Sequence, residues 1–143
     1  MTGLAGLLRT GGLGAAAPGV HYRDVVARWG GPDAFASEAP DPVYCLYGDL
    51  ELGFTGGGRL WHLQVESDGG VVSLPSAPGR RRREPVPAFD RTVAALAEDG
   101  YRITECAPFD PEEVWHRVDR SGVLFRWDAE GGPMRIHSTA VEL

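Results

Sequence analysis

A chain of 143 residues, 43% hydrophobic and 24% charged, suits one compact unit or two very small ones and excludes wholesale disorder. All fourteen basic residues are Arg, and with neither Lys nor Asn anywhere the sequence excludes a Schiff-base lysine, a P-loop lysine and a Cys-His-Asn triad. Net charge is −6, and without the run Arg80-Arg81-Arg82-Arg83 ten basic residues face twenty acidic ones, −10, a body that disfavours nucleic acid and anionic membranes and suits a basic protein partner.

In chain order, Leu4, Leu7 and Leu8 allow one or two helical turns, followed by a Gly- and Ala-rich stretch at 11–19. The early apolar run has no positive stretch ahead of it and no lipidatable Cys behind it, and no apolar run approaches the ~18 residues of a membrane span, which fits a cytoplasmic protein. Tyr22, Val25, Val26 and Trp29 recur at i, i+3, i+4 and i+7 and predict a helix, which Gly30-Gly31-Pro32 stops. Residues 33–42 read as a loop.

An alternating pattern then puts Tyr44, Leu46, Leu50, Leu52 and Phe54 on one face and Cys45, Tyr47, Asp49 and Glu51 on the other. Gly56-Gly57-Gly58 is a hairpin turn, and the return strand points Trp61, Leu63 and Val65 inward and His62, Gln64 and Glu66 outward. Residues 69–87, rich in Pro, Gly and Arg, read as a stiff solvated connector, with 71–74 as one candidate short strand.

After the connector the same grammar resumes. Phe89, Val93 and Leu96 mark a helix stopped by Gly100, residues 101–104 are extended, and Asp110-Pro111-Glu112-Glu113 has the capping residues of a short helix. Strands at 122–127 and 134–141 pair across Gly131-Gly132-Pro133. The two hairpins align at an offset of 74, Gly48 on Gly122, Leu50 on Leu124 and Leu60 on Met134, and the helix stops at 70, Gly30 on Gly100. The chain therefore divides into a first helix-hairpin repeat with an N-terminal extension (1–68), the connector (69–87) and a second repeat (88–143). The expected fold is α+β, an antiparallel sheet with helices on one face.

The run Val25-Val26-Ala27-Arg28-Trp29-Gly30-Gly31-Pro32-Asp33, the strand Tyr47-Gly48-Asp49-Leu50-Glu51-Leu52-Gly53-Phe54 and the return Gly57-Gly58-Arg59-Leu60-Trp61 resemble a helix ending in a G-x-P stop followed by a hairpin. That pattern is similar to the SmpA/OmlA-type assembly lipoproteins, to the β-lactamase inhibitory proteins, which double the unit, and to small bacterial cytoplasmic proteins that include immunity proteins. The resemblance implies a helix-backed sheet whose open face binds another protein, and it carries no catalytic residues.

The open face is expected to hold Tyr47, Asp49, Glu51, His62, Gln64 and Glu66 from the first hairpin and, if Val123, Phe125 and Trp127 point inward, Arg126, Arg135 and His137 from the second. An ordinary solvated face would show the same alternation. As a binding face it would take a basic toxin or enzyme, with Tyr47 as an aromatic anchor and inhibition by occlusion. The rival expectation is an accessory protein with a small-molecule pocket between the sheet and Tyr101, Phe109 and Trp115. His21, His62, His116 and His137 fit no metal-ligand spacing, so neither a metal nor a cofactor is expected. Cys45 and Cys106 lack CxxC spacing and read as free thiols, and a Cys45–His62 nucleophilic pair is conceivable only if both face outward.

Overall fold

The computed structural model describes residues 3–36, 43–68, 70–128 and 133–139. Among these are three helices: α1 (Gly3–Thr10), α2 (Tyr22–Trp29) and α3 (Phe89–Glu98). The strands are β1 (Ala34–Phe35), β2 (Tyr44–Tyr47), β3 (Leu50–Phe54), β4 (Leu60–Ser67), β5 (Val71–Ala77), β6 (Arg80–Pro85), β7 (Ile103–Cys106), β8 (Trp115–Val118), β9 (Leu124–Trp127) and β10 (Met134–Thr139). The meanders β1–β4 and β7–β10 meet where β4 pairs antiparallel with β10, so that one sheet runs β1-β2-β3-β4-β10-β9-β8-β7. The hairpin β5–β6 forms a separate two-stranded sheet. The fold is α+β with an antiparallel sheet.

Helix α2 forms where the apolar period predicts it and buries Val25 and Trp29. The His21 imidazole Nδ1 accepts the Arg23 N–H at its start, and Gly30, at φ +76°, takes the left-handed conformation that ends it. Helix α3 buries Thr92 and Leu96, and α1 buries Leu4, Leu7 and Leu8. The Ser121 hydroxyl donates to Leu8 O at 2.8 Å and the buried Ser138 hydroxyl to Gly11 O at 2.6 Å, tying the end of α1 to the second meander. The main core lies on one face of the large sheet, with Leu52, Leu63, Phe125 and Ile136 at its centre.

Several sequence expectations change. Two residues, Gly48 and Asp49, close the β2–β3 hairpin, so Tyr47 sits opposite Leu50 and Cys45 opposite Leu52. Cys45 and Tyr47 are therefore buried in the core, and Tyr44 and Leu46 point outward, the reverse of a reading that carries alternation straight through the turn. A bulge gives β4 one extra residue against Gly53 and Phe54, and Trp61 is displaced from the inward row: a Cβ on Gly53 would lie 3.3 Å from its Nε1, beside Tyr44 and His62.

The 69–87 stretch is no solvated linker. Val72, Leu74 and Pro75 are buried and pair with the arginine strand β6, and the Arg81 guanidinium binds both Asp33 carboxylate oxygens. Residues 34–35 of the expected loop pair with β2 as β1. Asp110 does cap, accepting the Glu112 N–H at 2.9 Å, but it opens only a turn, and Trp115, His116 and Arg117 lie on a strand paired with β7 and β9. The inward pairs Leu52–Leu63 on β3–β4 and Phe125–Ile136 on β9–β10 lie 73 residues apart, whereas the expected offset of 74 would set buried Leu50 on outward Leu124. Gly131, Gly132 and the end of the last strand beyond Thr139 lie outside the described residues.

The β2–β3 turn is locked onto β5: the Asp49 N–H donates to Ser73 O, and the Asp49 carboxylate accepts the Ser73 N–H at 2.7 Å. Gly48 has φ +60°, and a Cβ there would stand 2.6 Å from Ser73 O. Gly48→Ala is expected to cost about 2–4 kcal/mol, and Asp49→Ala about 1–2 kcal/mol, in urea unfolding.

Candidate functional site

Pairing register decides which side chains leave the core. On the face away from the main core, β10 presents Arg135 and His137, β4 presents His62, Gln64 and Glu66, β3 presents Glu51, β9 presents Arg126 and β8 presents Trp115 and Arg117. Of the nine residues expected on this face, seven are there. Tyr47 is in the core, its ring 5.4 Å from that of Trp29 and its hydroxyl donating to Gly30 O at 2.6 Å, with burial pushing the phenol pKa up. Asp49 is the turn clamp.

The face has two zones. Over the first meander and the seam lies a groove of about 1060 Å³, floored by Leu46, Glu51, Gln64 and Glu66 and walled by Asp68, Val71 and Arg83. Among the described residues Asp49, Glu51, Glu66, Asp68 and Asp128 line it against Arg83 and Arg135. Glu51, Glu66 and Asp68 make no ion pair with any described residue. Leu46 on the floor and Val71 on the wall, 40% and 42% exposed, give the groove an apolar margin.

Over the second meander the face is covered. Trp115 is only 1% exposed, with the ring of Phe109 5.2 Å away, that of His137 5.1 Å away and the Arg135 guanidinium 5.1 Å over it. Its indole N–H donates to Glu113 at 2.7 Å, and this bond, with a second from Arg135, holds the Glu113 carboxyl below its usual range. Arg135 also binds Asp128 at 3.2 Å, while its buried Nε has no hydrogen-bond partner among the described residues. Arg126 is spent on Asp128 at 2.7 Å and on Val114 O at 2.6 Å. Partial burial acts to raise the Asp128 carboxyl, but the two arginines outweigh it and hold it low.

His137 and His62 meet across the seam with ring centroids 5.5 Å apart, and Trp61 continues the row 5.3 Å beyond. Among the described residues no three His, Cys, Asp or Glu side chains are placed to hold a metal ion. Cys45 and His62 lie on opposite faces, so they form no catalytic pair, and burial pushes the Cys45 thiol up to about 12. Tyr101 packs against the main core and touches Arg9 and Arg120, so it does not share a pocket with Phe109 and Trp115. Sequence reasoning missed Asp68, Asp128 and Arg83 at the groove, because they sit in turns and on the stretch read as a linker. No protein-family model matches the chain, and no curated protein or solved structure is detectably similar to it. No described helix is long and apolar enough to cross a membrane.

His137 and the two cysteines each provide a test of this arrangement. Burial first, then the neighbouring His62 and Arg135, depress the His137 pKa from 6.5 to about 4, with Glu113 opposing. Below pH 6.5 the unfolded chain takes up a proton that folded His137 refuses until about pH 4, so stability falls across that window. Partial solvation of the ring limits the loss to about 1–2 kcal/mol. His137→Phe removes that share of the loss when urea unfolding at about pH 7.5 and about pH 4.5 is compared. Cys45 is buried and Cys106 partly exposed, so a thiol reagent should titrate one cysteine in the folded protein and the second only on unfolding.

Proposed function

We propose that the chain is a protein-binding module of the inhibitor or immunity type, which occludes a basic toxin or enzyme through the open face of its sheet. The observation that carries this reading is the groove beside β5–β6, where Glu51, Glu66 and Asp68 make no ion pair with any described residue and stand next to exposed Leu46 and Val71. An acidic centre with an apolar margin fits a partner segment that combines guanidinium or ammonium groups with an apolar anchor. Occlusion needs no catalytic group. Free thiols at Cys45 and Cys106 fit a reducing compartment, and the cytoplasm is the proposed place of action.

The doubled helix-hairpin plan, like that of the β-lactamase inhibitory proteins, belongs to the same proposal. Support comes from the seam, where Gln64 and His137, equivalent positions at the 73-residue offset, pair with each other. A duplicated unit joined about a local two-fold axis generates that register. The plan yields a sheet of eight strands, of which the first meander and the seam carry the open groove.

The test is a tagged capture from the native host, followed by reconstitution with the purified partner. A basic protein bound at equal stoichiometry is expected, with affinity falling steeply between low and high salt. The double charge reversal Glu51→Arg, Glu66→Arg should weaken it by at least about tenfold, about 1.4 kcal/mol or more. Glu98→Arg on α3, away from the groove, serves as the control and should leave binding unchanged. Unaltered affinity in the double variant, with its circular dichroism intact, would place any interface elsewhere.

A further inference from the structure

On the opposite face of the sheet from the groove, α1 and α3 do not close against each other. Between them lies a cavity of about 270 Å³, walled by Leu4, Ala5 and Leu8 of α1 and by Thr92 and Ala95 of α3, with the Trp127 indole and Pro87 at its base. Its polar groups are already committed. The Trp127 indole N–H donates to Pro87 O at 3.0 Å, and the Thr92 hydroxyl donates to Ala88 O at 3.0 Å. What remains facing the space is apolar.

Two arginines stand at its rim, and they differ. Arg9 is neutralised: its Nε and Nη2 bind the Asp99 carboxylate at 3.0 and 2.7 Å, and its Nη1 donates to Ala5 O at 3.0 Å. Arg91 is exposed and makes no hydrogen bond or ion pair with any described residue. An apolar cavity with one uncommitted guanidinium at its mouth is complementary to a molecule with an apolar body and a single anionic head. The volume lies just below the ~300–1,000 Å³ typical of sites for drug-sized ligands, so the body is of medium rather than long chain length.

We infer that this cavity is a binding site for a medium-chain monocarboxylate, with the carboxylate on Arg91 and the chain between Leu4, Leu8 and Trp127. The site is independent of the proposed protein-binding groove, and either can fail without the other.

Calorimetric titration of the full chain with decanoate, decanol and decylamine, all below their aggregation concentrations, tests it. Decanoate is expected to bind once per chain and to shift the Trp127 indole resonance, decanol to bind at least about tenfold more weakly for want of the charged contact, and decylamine not to bind. Arg91→Glu, on the helix surface, should lower decanoate affinity at least about tenfold and leave decanol unchanged. Ala95→Trp, which fills the cavity from an exposed helix position, should abolish both while leaving the far-ultraviolet circular dichroism intact. Equal affinity for decanoate and decanol, uptake that does not saturate at one per chain, or undiminished decanoate binding by Arg91→Glu would each overturn the assignment.

Discussion

The pairing of β4 with β10 is the contact on which everything else rests. Each meander alone would be a four-stranded sheet with a long exposed edge, an arrangement that invites pairing with other chains. Joining the two last strands removes both edges at once and places Val65 beside Ile136 and Leu63 beside Ser138 in a continuous core. The edges that remain are β1, only two residues long, and β7, which carries Glu105. Both are the short or charged edges that resist further strand addition.

The same seam sorts charge. Arg126 and Arg135 project from the second meander onto the open face, yet each is met by Asp128, Glu113 or a main-chain carbonyl within that half. Their field is spent locally on fastening the segment that covers Trp115. Glu51, Glu66 and Asp68, by contrast, make no ion pair with any described residue, so unpaired negative charge gathers at the groove. The arginines of β6 reinforce the division: Arg81 is held by Asp33 and lies 5.4 Å over the Tyr47 ring, and Arg83 alone reaches the groove.

Elements with a strong period and a glycine stop were legible in the sequence. Helix α2 occupies the positions its apolar spacing indicates, and Val123 and Phe125 point inward as alternation requires. Legibility failed where one residue changed parity. The two-residue turn at Gly48 and Asp49 reversed the faces of Tyr47 and Cys45, and the extra residue in β4 displaced Trp61. Composition misled at β6, since four consecutive arginines look solvated although Val72 and Leu74 on the paired strand anchor the hairpin. A sound cap at Asp110 misled too, because capping nucleates a single turn while strand pairing sets the conformation of residues 115–118 beyond it. Most of the open face was therefore readable, but not the groove, whose walls come from segments far apart in the chain.

Helix α1 has a consequence for the order in which this chain can assemble. Its closing contact, Ser138 to Gly11, spans 127 residues, and the Ser121 bond to Leu8 spans 113. The seam strands are likewise separated by the whole connector and most of the second meander. Contacts this distant must repay a large loop-closure entropy before they add stability, which slows the search. In chain order α1 comes before both meanders, so it is made well before the Ser121 and Ser138 hydroxyls that seat it. Until residues 121–138 are made those bonds cannot form, and Leu4, Leu7 and Leu8 remain an apolar segment whose seat depends on β10.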